Sequence, residues 1–147
     1  MRHSLKPLVL AAIALAAVPA LAAEGWLTSY DAAVKASKKS GKPILVDFTG
    51  SNWCGWCKKL DKEVFSTSEF KTWAKKNVVL LSLDFPQGIK QDAGLKKQNE
   101  GLAKKYEVQG FPTVLFLDAK GKKLGEYGYD EGGPKTWTSN AEKKFKK

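Results

Sequence analysis

The chain carries two cysteines, Cys54 and Cys57, three residues apart in the run Trp53-Cys54-Gly55-Trp56-Cys57. A pair at that spacing can staple the chain, help to hold a metal ion, or cycle between a dithiol and a small disulfide ring. A bridge enclosing two residues removes little entropy from the unfolded chain, so it makes a poor staple. A zinc site needs four protein ligands, or three and a water, and the sequence supplies one histidine, His3, far from the pair. No metal is expected, and the redox dithiol is the favoured reading of the three.

The elements on either side of the pair decide what the sulfurs could do. Pro43 to Thr49 reads as a strand, apolar on both faces as a central strand should be, with one exception. The exception is Asp47, which alternates with Val46 and Phe48 and so points at a helix-covered face. A buried carboxylate without a partner costs several kcal/mol and holds its proton more tightly, which would let Asp47 trade protons with a nearby thiol. The plainer alternative is that it caps a helix end or reaches water past the strand. Cys57, Leu60 and Val64 fall at i, i+3 and i+7, so a helix begins at or just before Cys54. A thiol at a helix start meets unpaired N–H groups and the positive end of the dipole, and Lys58 and Lys59 add charge within a turn. Cys54 is therefore the expected nucleophile, and Cys57, one turn in, the resolving thiol.

The remaining chain alternates helix and strand. A first helix is expected from Thr28, as cap, to Gly41, with Tyr30, Ala33, Val34 and Ser37 on one face. Ser66 and Glu69 have capping-box spacing and Phe65 and Phe70 staple spacing, so the second helix should break and restart there. Val78 to Asp84 reads as another buried strand. Leu95, Leu102, Ala103 and Tyr106 mark a helix whose outer face carries Lys96, Lys97, Asn99 and Lys104. Phe111-Pro112-Thr113 leads into a strand from Val114, a hairpin turn, and a second strand from Lys123. Pro112 is either a turn proline or a cis proline that holds a backbone edge open. Gly133-Pro134 opens a last helix with Trp137, Ala141 and Phe145 inward.

Residues 1–22 have the layout of a secretory leader: Arg2, His3 and Lys6, an apolar run from Leu8 to Val18, and a small-residue site ending at Ala22. Residues 23–147 then form one domain, exported to a compartment where disulfides persist. Of 25 basic residues Arg2 and Lys6 lie in the leader; the 23 that follow are all lysines, against 15 acidic residues. Residues 23–147, without arginine, lack the usual bidentate reader of phosphate and guanine, so nucleic acid is not an expected partner. With no histidine beyond His3, a Cys–His hydrolase is excluded, and no glycine-rich nucleotide motif suggests a cofactor.

The strand Ile44 to Phe48, the Trp-Cys-Gly-Trp-Cys run at a helix start and Phe111-Pro112-Thr113 before the hairpin together resemble the thioredoxin family, over about Trp26 to Phe145. The resemblance implies an α/β thioredoxin-like fold, a mixed four- to five-stranded sheet with helices on both faces. It implies that Cys54 attacks a substrate disulfide or receives one and Cys57 resolves the mixed disulfide, that Pro112 is cis, that the Phe111 backbone pairs with a peptide, and that Asp47 is the family's buried acid. Trp53, Gly55 and Trp56 would then form the substrate surface, Trp56 the more exposed ring and Trp53 the more core-like. Gly55-Trp56 replaces the Gly-Pro of thioredoxins proper, and one extra residue lies between Phe48 and Trp53. The expected activity is exported thiol–disulfide exchange, periplasmic, in the reductase direction, with a membrane or periplasmic electron-transfer partner. Oxidase or isomerase action, or a peptide-binding module with an incidental disulfide, are the alternatives.

Overall fold

The computed structural model describes residues 25–146, so the leader read over residues 1–22 lies outside the described residues. Its strands are β1 (Trp26–Leu27), β2 (Ile44–Thr49), β3 (Val79–Asp84), β4 (Thr113–Leu117) and β5 (Lys123–Tyr127). They form one sheet in the order β1-β3-β2-β4-β5. β3 runs parallel to both β1 and β2, whereas β2–β4 and β4–β5 are antiparallel. The helices are α1 (Tyr30–Ser40), α2 (Gly55–Leu60), α3 (Ser68–Asn77), α4 (Ala93–Lys105) and α5 (Gly133–Phe145), with a π-helical turn at Asp61–Phe65 between α2 and α3.

β2 is central because every one of its six residues is buried, which only a strand covered on both faces can sustain. Ile44, Val46 and Phe48 meet Ala33 of α1 and Leu102 of α4 on one face of the sheet. Leu45 belongs to the opposite cluster, with Leu60, Val64, Phe65, Phe70, Trp137 and Ala141. Alternation places Asp47 on this second face, beneath α2. The cluster here is largely aromatic. Phe65 lies 4.8 Å from Phe70 and 5.4 Å edge-on to Trp137 between ring centroids, and the Trp137 indole N–H donates to the Gly128 carbonyl at 2.8 Å.

Several local readings need correction. β1 was not anticipated: two residues carry no periodicity, and the strand exists because Trp26 buries its ring against Phe65 and pairs with Leu80. The cap of α1 is Ser29, whose Oγ accepts from the Ala32 N–H at 3.2 Å; the Thr28 carbonyl is taken instead by Gln98 of α4. Helix α3 restarts on Thr67 rather than Ser66, because the π turn uses Ser66, whose hydroxyl donates to Asp61 at 3.0 Å. Asn99 is not on the outer face of α4 but buried, donating from Nδ2 to the Asp84 carbonyl at 2.9 Å and accepting from Gln98. Gly125 of β5 lets the end of α5 settle on the sheet, since a Cβ there would lie 2.4 Å from the Lys144 carbonyl oxygen.

Trp137 is fully buried at the meeting point of α3, α5 and β5. Replacing it with alanine leaves a ring-sized cavity and should cost about 3–5 kcal/mol in urea unfolding. Trp137→Phe should lose distinctly less, and equal losses for the two would mean that the indole volume is not what matters.

Candidate active site

β2 runs out at Thr49 into a tight turn. The Gly50 carbonyl accepts from the backbone N–H groups of Trp53 (3.2 Å) and Cys54 (2.8 Å). Cys54 is left as the cap of α2, with extended backbone (φ −82°, ψ 109°), and its Sγ accepts from the Cys57 N–H at 3.2 Å. The sequence expectation of a helix starting at Cys54 is met in that form. The two cysteines are joined in a disulfide with their Cα atoms 5.2 Å apart, both of them buried but for a small window, 7% exposed at Cys54 and 4% at Cys57.

Beneath the disulfide is a cavity of about 340 Å³, lined by Asp47, Cys57, Lys58, Asp61 and Asp84 among others. Asp47 pairs in register with Ser82 of β3 and Val114 of β4, and its Oδ1 is buried without a hydrogen-bond partner. Burial is the main force holding its proton, and the negative charges of Asp61 and Asp84 reinforce it, so its pKa is pushed up to about 8. Asp47 and Cys57 thus share one polar space, and Asp47, in mid-strand and 8% exposed, does not cap a helix. Asp61 was overlooked in the sequence, although its place four residues after Cys57 puts both on one helical face.

The rim of the site is aromatic. Trp53 is 40% exposed, so it is not a core residue, yet it is anchored: its Nε1–H donates to the Phe85 carbonyl at 2.7 Å and its ring meets Phe111 edge-on at 5.9 Å. The Phe111–Pro112 peptide bond is cis. Trp56 is 58% exposed and leans on Tyr129 at 5.3 Å. The Lys59 ammonium sits over both rings, 5.2 Å from Trp56 and 5.0 Å from Tyr129, whose hydroxyl donates to Glu63 at 2.6 Å. Gly55 is the exposed first residue of α2, with open space where a Cβ would project. Tyr129 and Glu63 had no signal in the sequence, because their meeting depends on how α5's loop closes over α2.

A family model describing a thioredoxin-like domain matches residues 30–132. The chain belongs to the thioredoxin-like family. This thioredoxin-like chain is 38% identical over 128 residues to the disulfide bond reductase DsbH of Chlamydia pneumoniae, covering 87% of its own length and 77% of that protein's. It is 31% identical over 110 residues to the thioredoxin-related protein DsbJ of the same organism, but spans only 32% of that longer chain. A solved structure of a DsbH oxidoreductase superposes with a TM-score of 0.79 at 35% identity, covering 96% of this chain and 95% of the other. Together with the Cys54–Cys57 disulfide, these likenesses make the thioredoxin-like chain a thiol–disulfide oxidoreductase whose redox pair is those two cysteines. No described helix is long and apolar enough to cross a membrane.

The raised Asp47 fixes a pH dependence. The unfolded chain gives up this proton near 3.8 and the folded chain near 8, so folding takes one up between those values. The stability contributed by protonated Asp47 is complete below about pH 3.8 and is lost progressively as pH rises toward about 8. Asp47→Asn should therefore gain stability over the parent, little at pH 4 and a few kcal/mol by about pH 8. Urea unfolding of the two oxidised proteins across that range checks it; a difference independent of pH would mean the carboxyl is not raised.

Proposed function

We propose that the chain reduces disulfides in exported proteins, in the periplasm, and is itself recharged by a membrane or periplasmic dithiol partner. The observation that carries the reading is the Cys54–Cys57 disulfide on the first turn of α2, above the cavity that Asp47 shares with Cys57. The likeness to a protein named a disulfide bond reductase supports the direction. The leader-like layout of residues 1–22 supports the address.

In the dithiol form, Cys54 is the attacking sulfur. Its thiolate is favoured by the Cys57 N–H that already points at Sγ. It attacks one sulfur of the substrate disulfide, forming a mixed disulfide and releasing the other as a thiolate. Cys57 then loses its proton to ionised Asp47 across the shared cavity and attacks Cys54 Sγ. The mixed disulfide breaks, the second substrate thiolate leaves, and Cys54–Cys57 is oxidised as the substrate gains two electrons. A carboxyl with its pKa near 8 can take and return protons at neutral pH. Trp53, Gly55 and Trp56 flank the attacking sulfur, and the Phe111 backbone before cis-Pro112 offers an edge for an extended peptide.

The oxidase reading has one observation in its favour. Every group that stabilises the Cys54 thiolate stabilises the reduced protein and so moves the couple toward an oxidant. Equilibration against a glutathione or dithiothreitol series should give a potential near about −270 mV, as for thioredoxin, and a value near about −120 mV would reverse the direction. Separately, Cys57→Ser should accumulate a mixed disulfide at Cys54 with a protein substrate, seen by mass spectrometry. Cys54→Ser should trap none and lose turnover; retention of full activity would leave only the peptide-binding alternative.

A further inference from the structure

Ser51, Asn52 and Trp53, the residues leading into Cys54, all bond to one short segment, residues 84–87, which starts at the last residue of β3. The Ser51 N–H donates to Asp84 Oδ1 at 2.9 Å and its hydroxyl to Oδ2 at 2.6 Å. Asn52 makes a reciprocal pair with the Gln87 backbone, donating from Nδ2 to the carbonyl at 2.7 Å and accepting the N–H on Oδ1 at 3.0 Å. Trp53 adds its indole N–H to the Phe85 carbonyl. Ser51 and Asn52 are exposed, where loop residues ordinarily bond to water. Here three in succession are tied down.

The segment that receives them is fixed from behind. The Asp84 carbonyl accepts from Asn99 and Gln91, the Phe85 N–H donates to the Thr49 carbonyl at 2.8 Å, and the Phe85 ring tilts against Phe111 at 5.0 Å. One strap therefore joins the turn before Cys54 to the loop of the cis proline. Its effect on the sulfur runs through the backbone: the turn that places the Cys54 N–H on the Gly50 carbonyl also sets the cap geometry in which Sγ receives the Cys57 N–H.

We propose that residues 84–87 act as a strap that positions Cys54, with Asn52 as its positioning residue on the active-site turn. The proposal rests on the reading of Cys54 as the attacking thiol. Freed from the strap, the turn samples other conformations, Sγ loses its N–H partner for part of the time, and the thiolate fraction falls.

The test is alkylation of the fully reduced protein by iodoacetamide as a function of pH, with mass spectrometry assigning the modified cysteine. Asn52→Ala changes no charge, and the charged groups around the pair, Asp47 of β2, Lys58 of α2, Asp61 of the π turn, Asp84 of β3 and Lys59 over Trp56, all remain. The midpoint for Cys54 should move up, lowering its alkylation rate at neutral pH about threefold, with the melting transition in place. Ser51→Ala should shift it the same way by less, and Thr72→Ala on exposed α3 surface should not shift it. An unchanged Cys54 midpoint in a folded Asn52→Ala protein would overturn the strap, and activity lost without such a shift would do the same. If Asn52→Ala does not fold, Ser51→Ala decides by the same criterion. Parent protein modified first at Cys57 would instead overturn the attacking-thiol reading, and the positioning role with it.

Discussion

Gly50 has no side chain because the Trp53 ring occupies that place: a Cβ would lie 2.4 Å from the indole. This close approach lets the chain reverse within four residues of leaving β2 and sets Cys54 at the head of α2. A wider turn would carry Cys54 away from the sheet and from the cavity beneath it. The aromatic rim follows from the same contact. Once Trp53 lies over Gly50, its indole N–H meets Phe85 and its edge meets Phe111, so the cis-proline loop is drawn to the disulfide by packing rather than by covalent linkage. One glycine without room for a methyl group thus orders two loops that are some 60 residues apart in the sequence.

Below that turn the fold tolerates an arrangement that works against it. An unpartnered carboxyl in a central strand opposes folding wherever it would be ionised in the unfolded chain. The opposition is met by bulk apolar burial on the same face, where Trp26, Phe65, Phe70, Phe116 and Trp137 pack into one cluster. Side chains of that size each contribute on the order of 1.5–3 kcal/mol on burial, so a few of them outweigh one raised acid. Asp61 and Asp84 make the arrangement more costly still, as both add negative charge around Asp47. Lys58 lines the same cavity, yet burial and the two acids still set the direction, and a carboxyl held protonated here is compatible with the proton carrier proposed above.

The most legible parts of this protein were those with period or rare chemistry. The cysteine pair, the buried run of β2, the inward face of α5 and the break between α2 and α3 all stand out against their neighbours. The family likeness supplied the cis state of Pro112, which spacing alone left open. What escaped notice was held by single long-range contacts. Asn99 looks like a surface residue among lysines until the Asp84 carbonyl is placed beside it. Trp26 carries no periodic signal, and its place is decided by Phe65 and Phe70, which receive its ring. Ser66 and Thr67 offer nearly the same cap, and only the π turn, which draws the Ser66 hydroxyl to Asp61, decides between them. The extra residue before Trp53 was visible as a departure, but its anchorage on residues 84–87 was not, since hydrogen bonds between two loops leave no periodic trace.

The small window on Cys54 restricts how any partner can reach it. With 7% of the residue exposed and indole rings at positions 53 and 56, an incoming disulfide must arrive along a narrow approach and displace water from apolar surface as it does. Trp56 is the freer of the two rings, but it is not loose: Tyr129 supports one side and the Lys59 ammonium covers both rings. The hydrogen bond to Tyr129 raises the Lys59 pKa further above the neutral range, where a lysine is charged in any case. Among so many lysines scattered over solvent-facing helices, Lys59 is thus held against the active-site rim rather than left to water. That fixes one positive charge on an aromatic ledge at the rim of the site, through local geometry rather than through net charge.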